Sequence, residues 1–446
     1  MTWIRKYSIF ITIFLAYLAL AAFDQKWTKG RSPMATDTAA YYSYLPYAFI
    51  HKDFNFLTDS TFIEQHKAIN KYEPESWFML KSNTGKPIPK VTMGVAIMEL
   101  PGFLVANIIS KAFNNERTGY ESIYKLMFIL SNIVFSVLGL FFLHRVLLRD
   151  FSLTTSNLTI LIIAFCTNFL FYSVWFTGMA HNYSFFLISL FLFYLPAHIQ
   201  AKSSTTSIIW LIIGLLTLIR PTNIFFGLLF LFYKAPTKNE IIERISFLLR
   251  KPLLPILFFM IPITAQLIFW KANTGSWVVY SYEGEGFDFT NPQIINGWFS
   301  FRKGLFIYTP VLLLIVPAFF WIFKRKLVQY YFFPILFVLF SLIIFSWWSW
   351  YYGGSFGSRA MIDFYPLLSL PLAITIKLFW KKQSLKLLLL ALLVSTSLLN
   401  LLQSYQYKKG IIHHSEMTRE AYFYTFGKLH LSLEEREKLE TLLIKD

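Results

Sequence analysis

"ATDTAAYYSYLPYAFIHKDFNF" (residues 35–56) opens the longest polar stretch of an otherwise strongly apolar chain. It follows an apolar run from Tyr7 to Phe23 and carries two acids, Asp37 and Asp53, among tyrosines. Tyr41, Leu45 and Phe49 recur every fourth residue, a spacing that predicts a helix with one apolar face. Thr36 or Asp37 stands where a side-chain oxygen can cap the first turn, and Pro46 should bend the helix. At that end the helix dipole favours an ionised Asp37, and Tyr41 falls one turn later on the same face. The position equally suits a plain capping aspartate. Asp53, within His51-Lys52-Asp53, also reads as a solvated turn. What this acidic helix means depends on the apolar run in front of it.

That run is one of many. Of 446 residues, 56% are hydrophobic and only 15% charged, against about 25% charged in ordinary soluble domains. Mean hydropathy is +0.51. Further apolar runs lie near 91–110, 122–143, 154–176, 183–199, 206–219, 223–233, 252–270, 304–323, 331–349, 361–380 and 384–402. The pattern predicts an all-α polytopic membrane protein. Arg5 and Lys6 precede the first run, as in a signal peptide, but Asp24, Gln25 and Lys26 offer no small-residue cleavage site. It therefore reads as a retained first span. The net charge of +17 suits basic cytoplasmic loops and anionic membrane lipid better than nucleic acid. The single cysteine, Cys166, excludes an intrachain disulfide and a cysteine-pair metal site. In "SWWSWYYGG" (346–354) aromatics crowd a polar loop, where they anchor to the headgroup layer or stack on a ligand.

Three short connections are basic: Lys234 to Lys251, "KRK" at 324–326, and Lys381 to Lys386. Two runs separate each from the next, so all share one side, which the positive-inside bias makes cytoplasmic. The loops at 271–303 and 348–360 and the tail 403–446 then face outward. If 24–90 is the first outer loop, an odd number of crossings must separate it from Lys234, yet six runs lie between. Either 91–110, with Glu99 and Pro101, stays in the interface, or 206–233 is one span broken at Arg220-Pro221. The expectation is about 11 to 13 spans in a single integral membrane domain, 1–446. "KNEIIERISFLLRK" (238–251) reads as a cytoplasmic interfacial helix, and "LSLEEREKLETLLIKD" (431–446) as a charged helix capped by Ser432.

A span, then an Asp, a Tyr four residues on, a short helix and a second acid sixteen residues after the first: this order resembles the first external loop of the GT-C membrane glycosyltransferases. It is most similar to the branch holding protein O-mannosyltransferases and aminoarabinose transferases. Later segments resemble that branch too: "KVTMGVAIMELP" (90–101), "LLTLIRPTN" (215–223), "FSFRKGLFIYTP" (299–310) and "WWSWYYGGSFGSRAMIDFYPLLSLPLA" (347–373). The resemblance implies sugar transfer from a polyprenyl-phosphate donor to a lipid, glycan or protein acceptor, on the extracytoplasmic face of the plasma (inner) membrane. It implies a catalytic role for Asp37, with Asp53 as the second acid ending the same helix. It places Lys90 near carrier phosphate and Arg220 at an Arg-Pro corner. The first loop has no Asp-x-Asp, unlike the metal-dependent oligosaccharyltransferase branch, so a divalent metal is left open and no cofactor is assigned.

The chemistry suits these residue types. Phosphate is already a good leaving group, so one carboxylate as general base with Arg and Lys to neutralise departing charge suffices. Glycosidases pair two carboxyl groups because their leaving group needs a proton. Arg359, between Gly357-Ser358 and a span, can grip phosphate bidentately or simply meet lipid headgroups. Arg220 is a membrane-embedded cation lining a cavity or an interfacial turn. His181 reads as a substrate contact or a plain loop histidine, and Glu283, Glu285 and Asp288 as an acceptor loop or a solvated one. His413-His414 lacks further ligands for a metal. Rival classes are a transporter or flippase, which usually shows internal repeats, and a glycan polymerase or ligase, which carries its large loop late.

Overall fold

In the computed structural model, the described residues are 2–28, 32–53, 79–81, 84–113, 117–201, 206–250, 252–282 and 284–444. The expected acid Glu283 and the rest of the first loop, 54–78, lie outside them. Helix is the dominant structure of the described chain; its one sheet is a short antiparallel pair, Met79–Lys81 with Pro87–Pro89. Among the described residues eight helices are long and apolar enough to cross a membrane, and four shorter apolar helices accompany them. The protein is an all-α chain of multi-pass membrane type.

Contacts divide it into two compact units. The first comprises residues 1–142, 172–231 and 237–284, and the second 143–171, 232–236 and 285–446. In the first, the helix Thr2–Asp24 is followed by the loop helix Asp37–Pro46, then Gly94–Ala112, and most of Ser122–Leu147. Ala180–Ala201, Thr206–Ile219, the 3-10 turn Pro221–Gly227, Lys238–Arg250 and Leu253–Thr274 also belong to it. Between lipid-exposed helices there is no hydrophobic gain from contact, so small residues and polar pairs do the joining. A Cβ on Gly214 would lie 2.2 Å from the Phe259 carbonyl oxygen, so only glycine lets these two helices approach. Asn132 supplies a polar joint: its Nδ2 donates to the carbonyls of Tyr172 (3.0 Å) and Ser173 (2.9 Å), while its Oδ1 accepts from the Gly178 N–H. Asn182 donates to the hydroxyls of Ser136 and Ser173.

The second unit holds Leu153–Cys166, Phe332–Phe345, Tyr365–Phe379, Gln383–Lys408 and the tail helices Arg419–Thr425 and Leu433–Leu442. The run expected at 154–176 is interrupted at Thr167. Asn400 Nδ2 donates to the Phe165 and Thr167 carbonyls, both at 2.9 Å, and so satisfies acceptors freed by the helix end. The run at 304–323 is likewise split, into Leu305–Tyr308, Pro310–Leu314 and Ile315–Lys324, because Pro310 has no N–H to continue the ladder. The tail helix bears out its cap: Ser432 Oγ accepts from the Glu435 N–H at 3.1 Å and Glu435 returns the bond to the Ser432 N–H.

Candidate active site

The loop helix forms, but not as its spacing predicts. Asp37 is its first residue, half-buried. Thr36 stands at the cap position without capping: its hydroxyl donates backward to the Ala35 carbonyl at 2.5 Å. Thr38 donates to the same carbonyl and to that of Pro33. These hydroxyls serve a strained turn. Thr36 has φ +59° and ψ −135°, an outlier for a β-branched residue, of a kind that costs roughly 1–3 kcal/mol and clusters at functional sites. No single apolar face exists either, since every residue from Thr38 to Pro46 is buried. Tyr41 and Leu45 are buried but Phe49 is exposed, because past Pro46 the helix widens into the π-turn Tyr47–His51. The expected bend takes that form. Asp53 follows a left-handed Lys52 (φ +53°) and donates its N–H to the Tyr47 carbonyl at 3.0 Å, which closes the widened turn.

The loop helix is fastened to the segment that carries Lys90. Ala39 and Ala40 pack against Val91, and Tyr44 O–H donates to the Val91 carbonyl at 2.8 Å. Lys90 is half-buried, its Nζ 5.0 Å from the centre of the Tyr282 ring, and its carbonyl accepts from Ser281. The next residues reach the Arg-Pro corner. Thr92 Oγ1 donates to the Leu218 carbonyl, and a Cβ on Gly94 would lie 2.5 Å from the Ile219 nitrogen. Arg220 follows in extended backbone, and its Nη1 is 3.1 Å from Nδ1 of the buried His181. The segments bearing Asp37, Tyr41, Lys90, Arg220 and His181 thus meet in series within the first unit. Sequence reasoning passed over Lys26, whose Nζ donates to the Trp175 carbonyl. A cavity of about 30 Å³ beside it is lined by Ala35, Thr36 and Thr177. In the sequence Lys26 stood out only as part of a segment without a cleavage site.

Glu99 is 1% exposed and accepts from the Tyr183 hydroxyl. Its helix, Gly94–Ala112, runs through Pro101 without interruption. The sequence showed the acid; its burial and partner needed the fold.

Arg359 belongs to the second unit, at the start of the 3-10 turn Arg359–Phe364, half-buried. Bonded to Ser355, four residues before it, is a cation that the sequence did not single out. Lys303 is 2% exposed, donates to the Ser355 carbonyl and lies 5.4 Å from the Tyr407 ring centre. No carboxylate pairs with it among the described residues. Burial, then the charges of Arg359 and Arg302, hold its ammonium well below the usual lysine range. Burial, with His414 next to it, also lowers His413. Among the described residues no three His, Cys, Asp or Glu side chains gather as metal ligands. No family model and no curated protein matches the chain.

Proposed function

We propose that the chain is a GT-C-like glycosyltransferase that moves a sugar from a polyprenyl-phosphate donor to a lipid, glycan or protein acceptor on the outer face of the membrane. The observation that supports it most is the serial packing of the Asp37, Lys90 and Arg220–His181 segments in the first unit. An acid at a strained helix start and two cations then share one neighbourhood, as this reaction requires. Asp37 takes the proton of the acceptor hydroxyl while that oxygen bonds to the anomeric carbon and the carbon–phosphate oxygen bond breaks. Lys90 and Arg220 meet the phosphate charge, with His181 orienting the guanidinium. Tyr41 and Asp53 belong to the same helix and its closing turn. Arg359 enters this reading as a further phosphate contact from its place just before a span and from the resemblance.

Sidedness supports the same reading. The ion pair of Lys234 with Asp150, at 2.6 Å, sets residues 148–152 on the side of the basic connections. One helix of the two between residues 24–90 and that turn must then fail to cross. Both are long enough to cross, and we take Gly94–Ala112, whose two ends both adjoin the loop helix, as the one that stays near the outer interface. It lies along the loop helix: its first residues follow Val91 against Ala39, while Tyr42 O–H donates to the Gly119 carbonyl beyond its end. This arrangement gives about 11 crossings and leaves Asp37, Lys90, His181 and Arg220 all outside.

Were Gly94–Ala112 to cross instead, the buried Glu99 would be an intramembrane acid, and such acids often serve proton relays, which favours a second reading, a transporter of carrier-linked lipid. The deciding assay uses purified protein in detergent, where there is no membrane to cross. With a pool of polyprenyl-phosphate sugars and candidate acceptors, an Asp37-dependent glycosylated product establishes the transferase. No product across a broad screen, with carrier translocation in reconstituted vesicles, establishes the transporter.

A further inference from the structure

A cavity in the second unit holds about 350 Å³ and is lined by the helix Ile294–Phe299 and the turn after it, by residues 417–419 and by Ile444. Its two charged lining residues are arginines, Arg302 and Arg419, and no acid lines it among the described residues. Arg302 is fixed in place. Its guanidinium lies 3.5 Å from the Tyr351 ring centre and its Nε donates to the Ser415 carbonyl at 2.7 Å. Its two terminal nitrogens have no hydrogen-bond partner among the described residues. Arg419 is exposed and makes no ion pair among them.

Such a pair invites a bidentate anion, because each guanidinium presents a fork of donors matched to carboxylate or phosphate. The rest of the lining selects what carries the anion. Ser300 Oγ accepts from the Arg302 N–H and keeps its own proton to donate. Asn296 gives one amide hydrogen to Gln293 Oε1, so its carbonyl oxygen and second N–H stay available. Phe299 and Phe301 are walls held by neighbours, Phe299 against Phe306 and Phe301 against Tyr422 and Phe423. Flat aromatic faces suit the C–H face of a sugar ring, and the hydroxyl and amide suit its equatorial hydroxyls. The volume sits near the lower end of small-ligand sites, about 300–1,000 Å³, enough for one or two rings.

We propose that this cavity binds a sugar anion, a monosaccharide unit bearing a carboxylate or a phosphate, with Arg302 and Arg419 on the charge. The inference stands on the second unit alone and needs nothing from the transferase reading. Calorimetric titration of the purified protein in detergent tests it, with D-glucuronate, D-glucose 6-phosphate, D-glucose, inorganic phosphate and glycerol 1-phosphate as probes. One or both sugar anions should bind at least about tenfold more tightly than the other three, and Arg419→Gln should weaken that binding by about tenfold or more. Arg419 is exposed, so this variant folds as the parent does; Arg302→Lys, which loses the fork and the bond to Ser415, should bind more weakly when titrated below its own thermal midpoint. Glucuronate alone or the phosphate sugar alone binding supports the proposal and names the anion. Tighter binding of glycerol 1-phosphate, which mimics a phospholipid headgroup, overturns it. So do equal binding of glucose or bare phosphate, and binding indifferent to Arg419→Gln. Asp37→Asn should leave the titration unchanged, so a failure here and a failure of sugar transfer are separate results.

Discussion

Asp37 occupies the first turn of a helix whose N-terminal dipole favours its charge, next to a threonine held in an unfavourable backbone conformation. Its replacement by Asn keeps shape and removes the base. Transfer should fall by about 10²-fold or more, the scale of a general base, with expression unchanged. Asp53→Asn should cost less, since Asp53 closes the turn through its backbone N–H, which Asn retains. Near-parental transfer by Asp37→Asn would remove it from the chemistry. Asp37, Lys90 and Arg220 could be singled out as candidates because charge in an apolar chain stands out. Lys303 was not, because neighbouring Arg302 and Lys303 look alike as letters and only the fold buries one of them. Its lowered pKa gives a signed expectation. Between the depressed native value and the unfolded value near about 10.4, the unfolded chain binds the extra proton, so stability rises with pH across that window. Lys303→Met lacks this dependence. Its thermal midpoint minus that of the parent should therefore shrink as pH rises from 7 to 10; a constant or growing difference would contradict the buried, unpaired ammonium.

At the scale of elements, the joint between Gly94 and the backbone at Leu218–Ile219 ties the Lys90 segment to the Arg220 corner. A methyl group there meets backbone, which cannot rotate away. Gly94→Ala should destabilise by about 1–3 kcal/mol, the usual range for overpacking, seen as a lower thermal midpoint and weaker transfer. An unchanged midpoint would show that the two segments are further apart. The tail helix was readable to the residue because its cap is a local code, Ser432 with Glu435 three positions on. The loop helix was readable in position but not in form. Its spacing of four suggested a one-sided helix, whereas Tyr42 and Tyr44 find carbonyl partners on Gly119 and Val91 that no local pattern announces. Broken runs such as 154–176 were missed for the same reason. The break at Thr167 depends on Asn400, which is more than two hundred positions away in the chain.

For the whole molecule, composition and run length were enough to read an all-α chain with many apolar helices, and the structure bears that out with eight of spanning length among the described residues. Crossing number was not readable, because hydropathy gives Gly94–Ala112 the same score whether it spans or lies in the interface. The contacts that bear on it are long-range: Lys234 with Asp150 in the second unit, and Tyr42 with Gly119 in the first. Others agree with the proposed sidedness. Lys26 reaches Trp175, Thr84 reaches Asn273, and Arg302 reaches Ser415, each pair assigned outside. The proposed chemistry depends on this outer grouping, so the most direct measurement is single-cysteine labelling in intact cells with an impermeant thiol reagent. Cys166 is the only cysteine, and Cys166→Ala gives the background. Arg117→Cys and Arg149→Cys lie at exposed sites on either end of Ser122–Leu147, with Arg325→Cys as the cytoplasmic control. The account predicts labelling at 117 and none at 149 or 325; labelling at 149 with none at 117 would put Gly94–Ala112 across the membrane and contradict it.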